Sequence, residues 1–249
     1  MRAKHPRGEW MKTVAILAGG KGTRLQNTVP DVPKPLAPVA GRPFIFYILE
    51  HWISHGVTDF FVSVGHQAEK VIDVVGKQYK DVSVTFCNEE KPLGTGGATI
   101  ELIKQIKKPF ILVNGDTYFP LNLNELMSSN FEAAMTICFA KNYNQHAGER
   151  IFLNRDSQLV TAKPSLYKKR ANKDMVSNSG TVIIQPHLIP LNLLMNLKLP
   201  LPFEEGLVAT LIDNDVAIKG HVFDELFIDI GIPADYLEFS KNFNQWKAN

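Results

Sequence analysis

The sequence predicts an α/β protein, a doubly wound, mostly parallel but mixed sheet joined to a small β-rich insertion. Three observations carry that expectation. Strand-like and helix-like stretches alternate from Val14 to Val113, the pattern that lays helices on both faces of a parallel sheet. Val14, Ala15, Ile16 and Leu17 form an apolar run without polar alternation, as a strand buried on both faces requires. Beyond Asp116 the alternation lapses into short strand-like stretches with few helices between them, which suggests an antiparallel or mixed insertion over one end of the cleft.

In chain order, the proline-rich stretch 26–41 lacks periodicity and reads as a long ordered loop stiffened by Pro33, Pro35 and Pro38. Residues 44–54 space Phe44, Tyr47, Ile48 and Trp52 as a core-packed helix does. A strand follows at 60–64, a helix at 66–75, a strand at 82–86, a helix within 93–107 and the strand PFILV at 109–113. The second half offers strands at 133–140, 150–154, 158–162 and 181–185, and a helix at 203–212. It ends with strands at 216–222 and 227–229 and a helix at 234–242.

Composition removes several classes of function. The chain has 249 residues, ample for one α/β domain with a large core. Hydrophobic residues at 45% and charged residues at 21% describe a globular enzyme rather than a disordered chain. Net charge is +2, which gives no footprint for nucleic acid. Cys87 and Cys138 form no CxxC and fit two buried thiols in a reducing compartment, hence a cytoplasmic location. No apolar run approaches the ~20 residues of a membrane span, so no membrane partner is expected. Residues 1–10 are basic and polar and read as a disordered leader or tag. Residues 11–249 read as one domain, a nucleotide-binding half to about 130 and a second half from 131.

The chemistry starts where the first strand ends. Gly19, Gly20 and Gly22 let the backbone turn and approach a ligand, and Lys21 and Arg24 add positive charge suited to phosphate. Two familiar glycine motifs do not fit. GxGxxG fails because Leu25 stands at the third glycine, and a Walker A loop fails because Gly22 follows Lys21.

The whole set of motifs resembles the nucleotidyltransferases that join a nucleoside triphosphate to a sugar 1-phosphate. The residues that carry the resemblance are LAGGKGTRL at 17–25, PKPLAPV at 33–39 and PLGTGGA at 92–98. NGD at 114–116, AKP at 162–164, NSG at 178–180 and FIDIGIP at 227–233 continue it in order. The resemblance implies a Rossmann-like, glycosyltransferase-A-like fold and nucleotide binding by Leu17, Ala18, Gly19, Gly20, Lys21, Gly22, Thr23 and Arg24. Pro92, Gly94, Thr95, Gly96, Asn114 and Asp116 would complete that site, with backbone amides at Ala18, Gly19 and the PLGTGG loop reading the base. No hexapeptide repeat follows residue 230, so an acyltransferase β-helix is not expected.

Both reactants are polyanions, so positioning and charge neutralisation dominate catalysis. Mg2+, which takes one or two carboxylates plus phosphate and water, is the expected cofactor. Asp116 and Asp229 each follow an apolar strand and are the expected metal ligands, with Asp224 and Asp235 as neighbouring competitors. By resemblance Arg24 steadies the leaving pyrophosphate, Lys34 contacts the α-phosphate and the incoming sugar phosphate, and Lys163, Asn178 and Gly180 serve the sugar phosphate, with Gly115 beside them. Glu204 and Glu205, before a helix, read either as carboxylates for sugar hydroxyls or as helix-start residues. Ala162 stands where the family usually has glutamate, which removes one carboxylate from the acceptor side. Taken across the chain, the resemblance points to guanylyl transfer from GTP to D-glycero-D-manno-heptose 1-phosphate. Uridylyl transfer to N-acetylmuramate 1-phosphate and guanylyl transfer to mannose 1-phosphate are the alternatives. A silent sugar-nucleotide-binding protein should lack a charged group, yet Arg24, Lys34, Asp116, Lys163 and Asp229 are all present. Oligomeric state, monomer or homo-oligomer, stays open from sequence.

Overall fold

An apolar strand with side chains going alternately to two faces needs a core on each side, and the first strand shows both. β1 (Thr13–Leu17) sends Val14 and Ile16 into one apolar cluster and Ala15 into the other. The computed structural model describes residues 12–128, 133–140, 152–153, 159–161, 177–225 and 227–246. The leader 1–10 and Lys163 lie outside the described residues.

The stretch expected as a plain loop carries a 3-10 turn at Lys34–Leu36 and a hairpin of β2 (Pro38–Val39) and β3 (Arg42–Pro43). Its two-residue turn puts Ala40 at φ 46° and Gly41 at φ 79°, the left-handed pair that a tight hairpin needs. Tyr47 and Tyr236 hydroxyls donate to Val39 O at 2.8 Å and Pro38 O at 2.7 Å, fixing the hairpin and the Lys34 turn before it. α1 (Ile45–Ser54) buries Ile45, Tyr47, Ile48, Leu49 and Trp52, as the spacing predicts. β4 (Asp59–Val64) leads to α2 (Ala68–Val75), which starts later than expected because Gln67 sits at φ 55° and cannot join the helix. β5 (Gln78–Tyr79), β6 (Val82–Asn88), α3 (Gly94–Gln105) and β7 (Phe110–Asn114) follow. β8 (Thr117–Tyr118), α4 (Leu123–Ser128), β9 (Met135–Ala140), β10 (Phe152–Leu153), β11 (Leu159–Thr161) and β12 (Ser177–Ile184) continue the chain. α5 (Leu191–Leu194), a π-helical turn Phe203–Val208, α6 (Ala209–Asp213), β13 (Ile218–Phe223), β14 (Ile228–Asp229) and α7 (Pro233–Trp246) complete it.

Among the described residues the main sheet has eight strands in the order β13-β9-β12-β7-β1-β4-β6-β5. β1 runs parallel to β4 and β7, and β4 parallel to β6, whereas β12 is antiparallel to β7 and β9. The mixed sheet is as the sequence predicts. Its β-rich second half differs in one respect: β9, β12 and β13 extend the main sheet instead of standing apart, while the β10–β11 pair and β14, which pairs with β8, lie off it. Phe110 and Leu112 face the α3 and α6 side while Ile111 and Val113 face the α1 and α7 side, so this strand too is apolar throughout.

The chain proceeds outward from β1 to β4 and β6 and then returns to β1's other side with β7. Strand order therefore reverses at β1. Loops leaving the carboxyl ends of neighbouring strands diverge there, and the gap between them is the place for a ligand in such sheets. Both chemistry-bearing loops, 18–24 and 114–116, leave at that point.

Candidate active site

A cavity of about 600 Å3 opens at this reversal, lined by Leu17, Ala18, Gly19, Gly20 and Lys21 from the first loop and Asn114, Gly115 and Asp116 from the second. Lys34 and Pro35 close one side and Glu89, Pro92, Gly94 and Thr95 another. A smaller chamber of about 80 Å3 adjoins it, bounded by Thr95, Asn114, Asn178, Gly180, Phe203 and Glu204. Leu17, Thr95 and Asn114 line both.

Charge converges at one end. Lys34 Nζ donates to Asp116 Oδ2 at 2.9 Å, with the two side chains only 15% and 25% exposed. β14 pairs antiparallel with β8 so that Asp229 lies opposite Thr117, and Ile230 N donates to Asp116 O at 2.9 Å. This short ribbon brings together two carboxylates far apart in sequence. Around the point where a Cβ on Gly231 would sit, Lys34 Nζ is 2.7 Å away, Asp229 Oδ1 2.8 Å and Asp116 Oδ2 3.2 Å. Gly231 N donates to Asp229 Oδ1 at 2.7 Å and holds it there. Burial, with the Asp116 charge added, pushes the Asp229 carboxyl up to about 6, although the Gly231 amide and the Lys34 and Arg24 charges oppose the shift.

Two carboxylates that meet around one point, as Asp116 and Asp229 do beside Gly231, are a ready host for a divalent cation. No group of three or more His, Cys, Asp or Glu suited to a metal occurs among the described residues. The donor set fits a hard ion that takes two carboxylates here and completes its shell with phosphate and water, as Mg2+ does. It does not fit a structural zinc, which needs four protein ligands.

The remaining sequence-derived residues divide. Gly22, at φ 64°, packs where its Cβ would meet Lys34 Cγ at 2.8 Å, so it shapes the lysine rather than the cavity wall. Thr23 and Arg24 are exposed on the turn that follows, and Arg24 reaches the site through its charge on Asp229. Gly20 would find nothing within 4 Å of an added Cβ, so its face is open. Gly115 donates to Leu17 O at 2.9 Å and lines the larger chamber instead of the smaller one.

The backbone amides expected to read the base are partly engaged elsewhere. Ala18 N donates to Ser63 O at 2.8 Å and Gly96 N to Leu201 O at 2.8 Å, because strand pairing and helix capping use those groups first. Cys138 is buried as expected, but Cys87 is only partly so and donates to Gln105 Oε1 at 2.9 Å.

NSG forms a bulge in β12: pairing to β9 shifts between Asn178 and Thr181, and Gly180 takes φ 71°. A bulge re-aims a side chain from a strand, and here it turns Asn178 into the smaller chamber. Asn178 Nδ2 donates to Glu204 Oε1 at 2.7 Å, and Asn178 Oδ1 accepts from Gly180 N at 2.9 Å.

Sequence reasoning passed over Glu89. Its carboxylate lines the larger chamber, accepts Ser63 Oγ at 2.9 Å and Leu93 N at 3.2 Å, and would lie 2.5 Å from a Cβ on Gly19. The signal was available, since Glu89 directly follows the carboxyl end of a parallel strand near the reversal point.

A mixed α/β sheet whose reversal point holds a glycine loop, a half-buried lysine and paired carboxylates defines an enzyme of phosphate-ester chemistry on nucleotides. Residues 13–148 match the family model described as nucleotidyl transferase, and the chain belongs to that family. D-glycero-alpha-D-manno-heptose 1-phosphate guanylyltransferase of Campylobacter jejuni is 27% identical over 91% of this chain and 98% of its own length. The enzyme of the same description from Aneurinibacillus thermoaerophilus is 29% identical over 93% of this chain and 98% of its own. Among solved structures, HddC from Yersinia pseudotuberculosis superposes with a TM-score of 0.77 at 30% identity, covering 94% of this chain and 100% of that one. The same protein has been solved complexed with GMP-PN.

Proposed function

We propose that this chain transfers GMP from GTP to D-glycero-D-manno-heptose 1-phosphate with the help of Mg2+, forming GDP-heptose and pyrophosphate. What carries the reading is near-complete alignment with two heptose 1-phosphate guanylyltransferases, each covered over 98% of its length. The chamber chemistry agrees with it. Glu89 and Glu90 supply acceptors for the adjacent N–H donors on guanine's edge. The loop 18–21 and Lys34 face the phosphates.

In the reaction, a phosphate oxygen of the sugar phosphate attacks the α-phosphorus. The bond to the bridging oxygen breaks, and pyrophosphate leaves. Lys34 neutralises charge on the α-phosphate and the incoming phosphate, and Arg24 does so on the departing pyrophosphate. Asp116 and Asp229 would hold Mg2+, which supplies further charge neutralisation at the reacting phosphates. Asn178, Gly180 and Glu204 face the sugar, and the resemblance gives its phosphate to Lys163. One domain serves both substrates, the nucleotide on residues up to about 130 and the sugar on those from 131, in the cytoplasm.

The test is pyrophosphate release with Mg2+ across four nucleoside triphosphates and the 1-phosphates of heptose, mannose, glucose and N-acetylmuramate. Release with GTP and heptose 1-phosphate alone is the expected result. Release with a different pair replaces the substrates, and release with none refutes the activity.

A further inference from the structure

The start of α3 is unusual in what satisfies it. The first amides of a helix lack partners within the helix and often meet an anion. Here Gly96 N and Gly97 N both donate to Leu201 O, at 2.8 and 3.3 Å, and Leu201 N donates back to Leu93 O at 2.8 Å. The chain around Leu201 is thus clamped across the helix start. The glycines make this possible, because a Cβ on Gly94 would come within 2.5 Å of Leu201 O and one on Gly97 within 2.7 Å of Leu199 Cδ2. A glycine-rich stretch that resembles a base-facing loop is also a docking surface for a segment about a hundred residues later.

One contact in the clamp uses a side chain. Thr95 Oγ1 accepts the Phe203 amide at 3.1 Å. Phe203 opens the π-helical turn Phe203–Val208, a rare wide turn whose first amide has no partner within the turn. The next residue, Glu204, accepts Asn178 Nδ2, and Asn178 accepts Gly180 N. One hydrogen bond from Thr95 to the Phe203 amide, the peptide link to Glu204 and a second bond to Asn178 therefore connect a hydroxyl in the nucleotide loop to the side chains that line the smaller chamber. Thr95 itself borders both chambers, and Thr99 Oγ1 pins its carbonyl at 2.7 Å.

We propose that Thr95 is a positioning residue for the sugar phosphate: by holding the Phe203 amide it sets the phase of the π-helical turn, and so the place of Glu204 and Asn178. Though it belongs by sequence to the nucleotide loop, its larger effect falls on the second substrate. Setting the base loop and shaping the sugar chamber are then one structural event. The inference rests on the function proposed above only for the identity of the two substrates.

Thr95→Val keeps the volume and the branched Cβ and removes the acceptor, and Thr95→Ser keeps the acceptor. With the substrate pair that the wild-type enzyme turns over, Thr95→Val raises KM for the sugar 1-phosphate about tenfold, the scale of one lost and unreplaced hydrogen bond. KM for the triphosphate rises by a clearly smaller factor, since Thr95 also lines the larger chamber, and Thr95→Ser restores the sugar-phosphate KM to within about twofold of wild type. Glu204→Gln made in the Thr95→Val background adds less than it does alone, as coupled groups do. Calorimetric titration of the sugar 1-phosphate into enzyme loaded with a non-hydrolysable triphosphate analogue reads the same ratio without turnover. If Thr95→Val does not fold, as circular dichroism reports, Thr95→Ala is measured to the same expectations. An unchanged sugar-phosphate KM, an equal rise in both KM values, or a rise for the triphosphate alone overturns the proposal. A wild-type enzyme that turns over another substrate pair overturns the earlier substrate assignment and leaves this ratio to be judged by itself.

Discussion

Replacing Gly231 with alanine puts one methyl group at the centre of the charged cluster. Gly231 does not adopt a left-handed φ, so its backbone accepts a side chain without strain. The new methyl would meet Lys34 Nζ at 2.7 Å and Asp229 Oδ1 at 2.8 Å, both closer than carbon can approach without displacing them. These are ends of side chains, not backbone, so they yield, and the fold loses at most about 1 kcal/mol. The site does not escape so lightly. Lys34 moves off Asp116, and Asp229 turns from the position that the Gly231 amide gives it. A misplacement of about 1 Å among reacting groups costs on the order of 100-fold in rate, equivalent to about 2.7 kcal/mol. Pyrophosphate release at saturating substrates, set beside thermal melting of the same preparation, reads both quantities. A Gly231→Ala enzyme with half the wild-type rate would mean that the two carboxylates and Lys34 do not act as one unit.

Other expectations follow from the same geometry. Gly96→Ala pushes a Cβ against the backbone of Leu201 and Pro202, which cannot yield as a side chain does, and lowers stability to urea by about 2 kcal/mol. Gly20→Ala, whose Cβ would meet nothing within 4 Å, leaves stability unchanged, and equal losses in the two variants would discard the docking role of the α3 glycines. Glu50 accepts Arg42 at 3.1 and 3.0 Å, and this pairing, with Lys80 and Tyr79 added, holds its carboxyl down to about 2 from the usual 4.5. Its folded value is depressed, so its contribution is fully present above pH 4.5 and is lost as pH falls through about 2. Because the pair is partly exposed, the gap between wild type and Glu50→Gln in urea unfolding is about 1 kcal/mol at neutral pH. That gap closes toward pH 2, and a gap independent of pH would refute the assignment.

The sheet was legible because burial on both faces leaves a mark on composition. β1 and β7 alternate between two cores, so Val14 to Leu17 and Phe110 to Val113 carry no polar residue. Asp116 was legible for the related reason that it follows such a strand, whereas Asp229 lies within the two-residue β14 and was read from the apolar residues before it. What the sequence concealed is partnership. Gly94, Gly96 and Gly97 read equally as room for a ligand or room for another segment, and Leu201 is too distant along the chain to signal which. Strands β9 and β12 have the right composition for any antiparallel sheet, and only their neighbours reveal that they extend the main one. Gln67 at φ 55° shortened a helix for a reason that resides in its dihedral angle and not in its residue type. Glu89 fell between a strand and a motif, and attention to motifs alone passed it by.

The β8–β14 ribbon has a consequence for how the protein comes into being. A ribosome releases residues 12–140 as a chain that already holds the glycine loop, Lys34 and Asp116. Domains begin to fold while the rest is still being made, so this portion can form its sheet and meet nucleotide early. Asp229 emerges only after almost all the sheet, and β14 must then lay itself along β8 before two carboxylates face each other. On the function proposed above, a chain must be translated past residue 229 before the two carboxylates meet, and a product interrupted earlier holds the glycine loop and Lys34 without the second carboxylate.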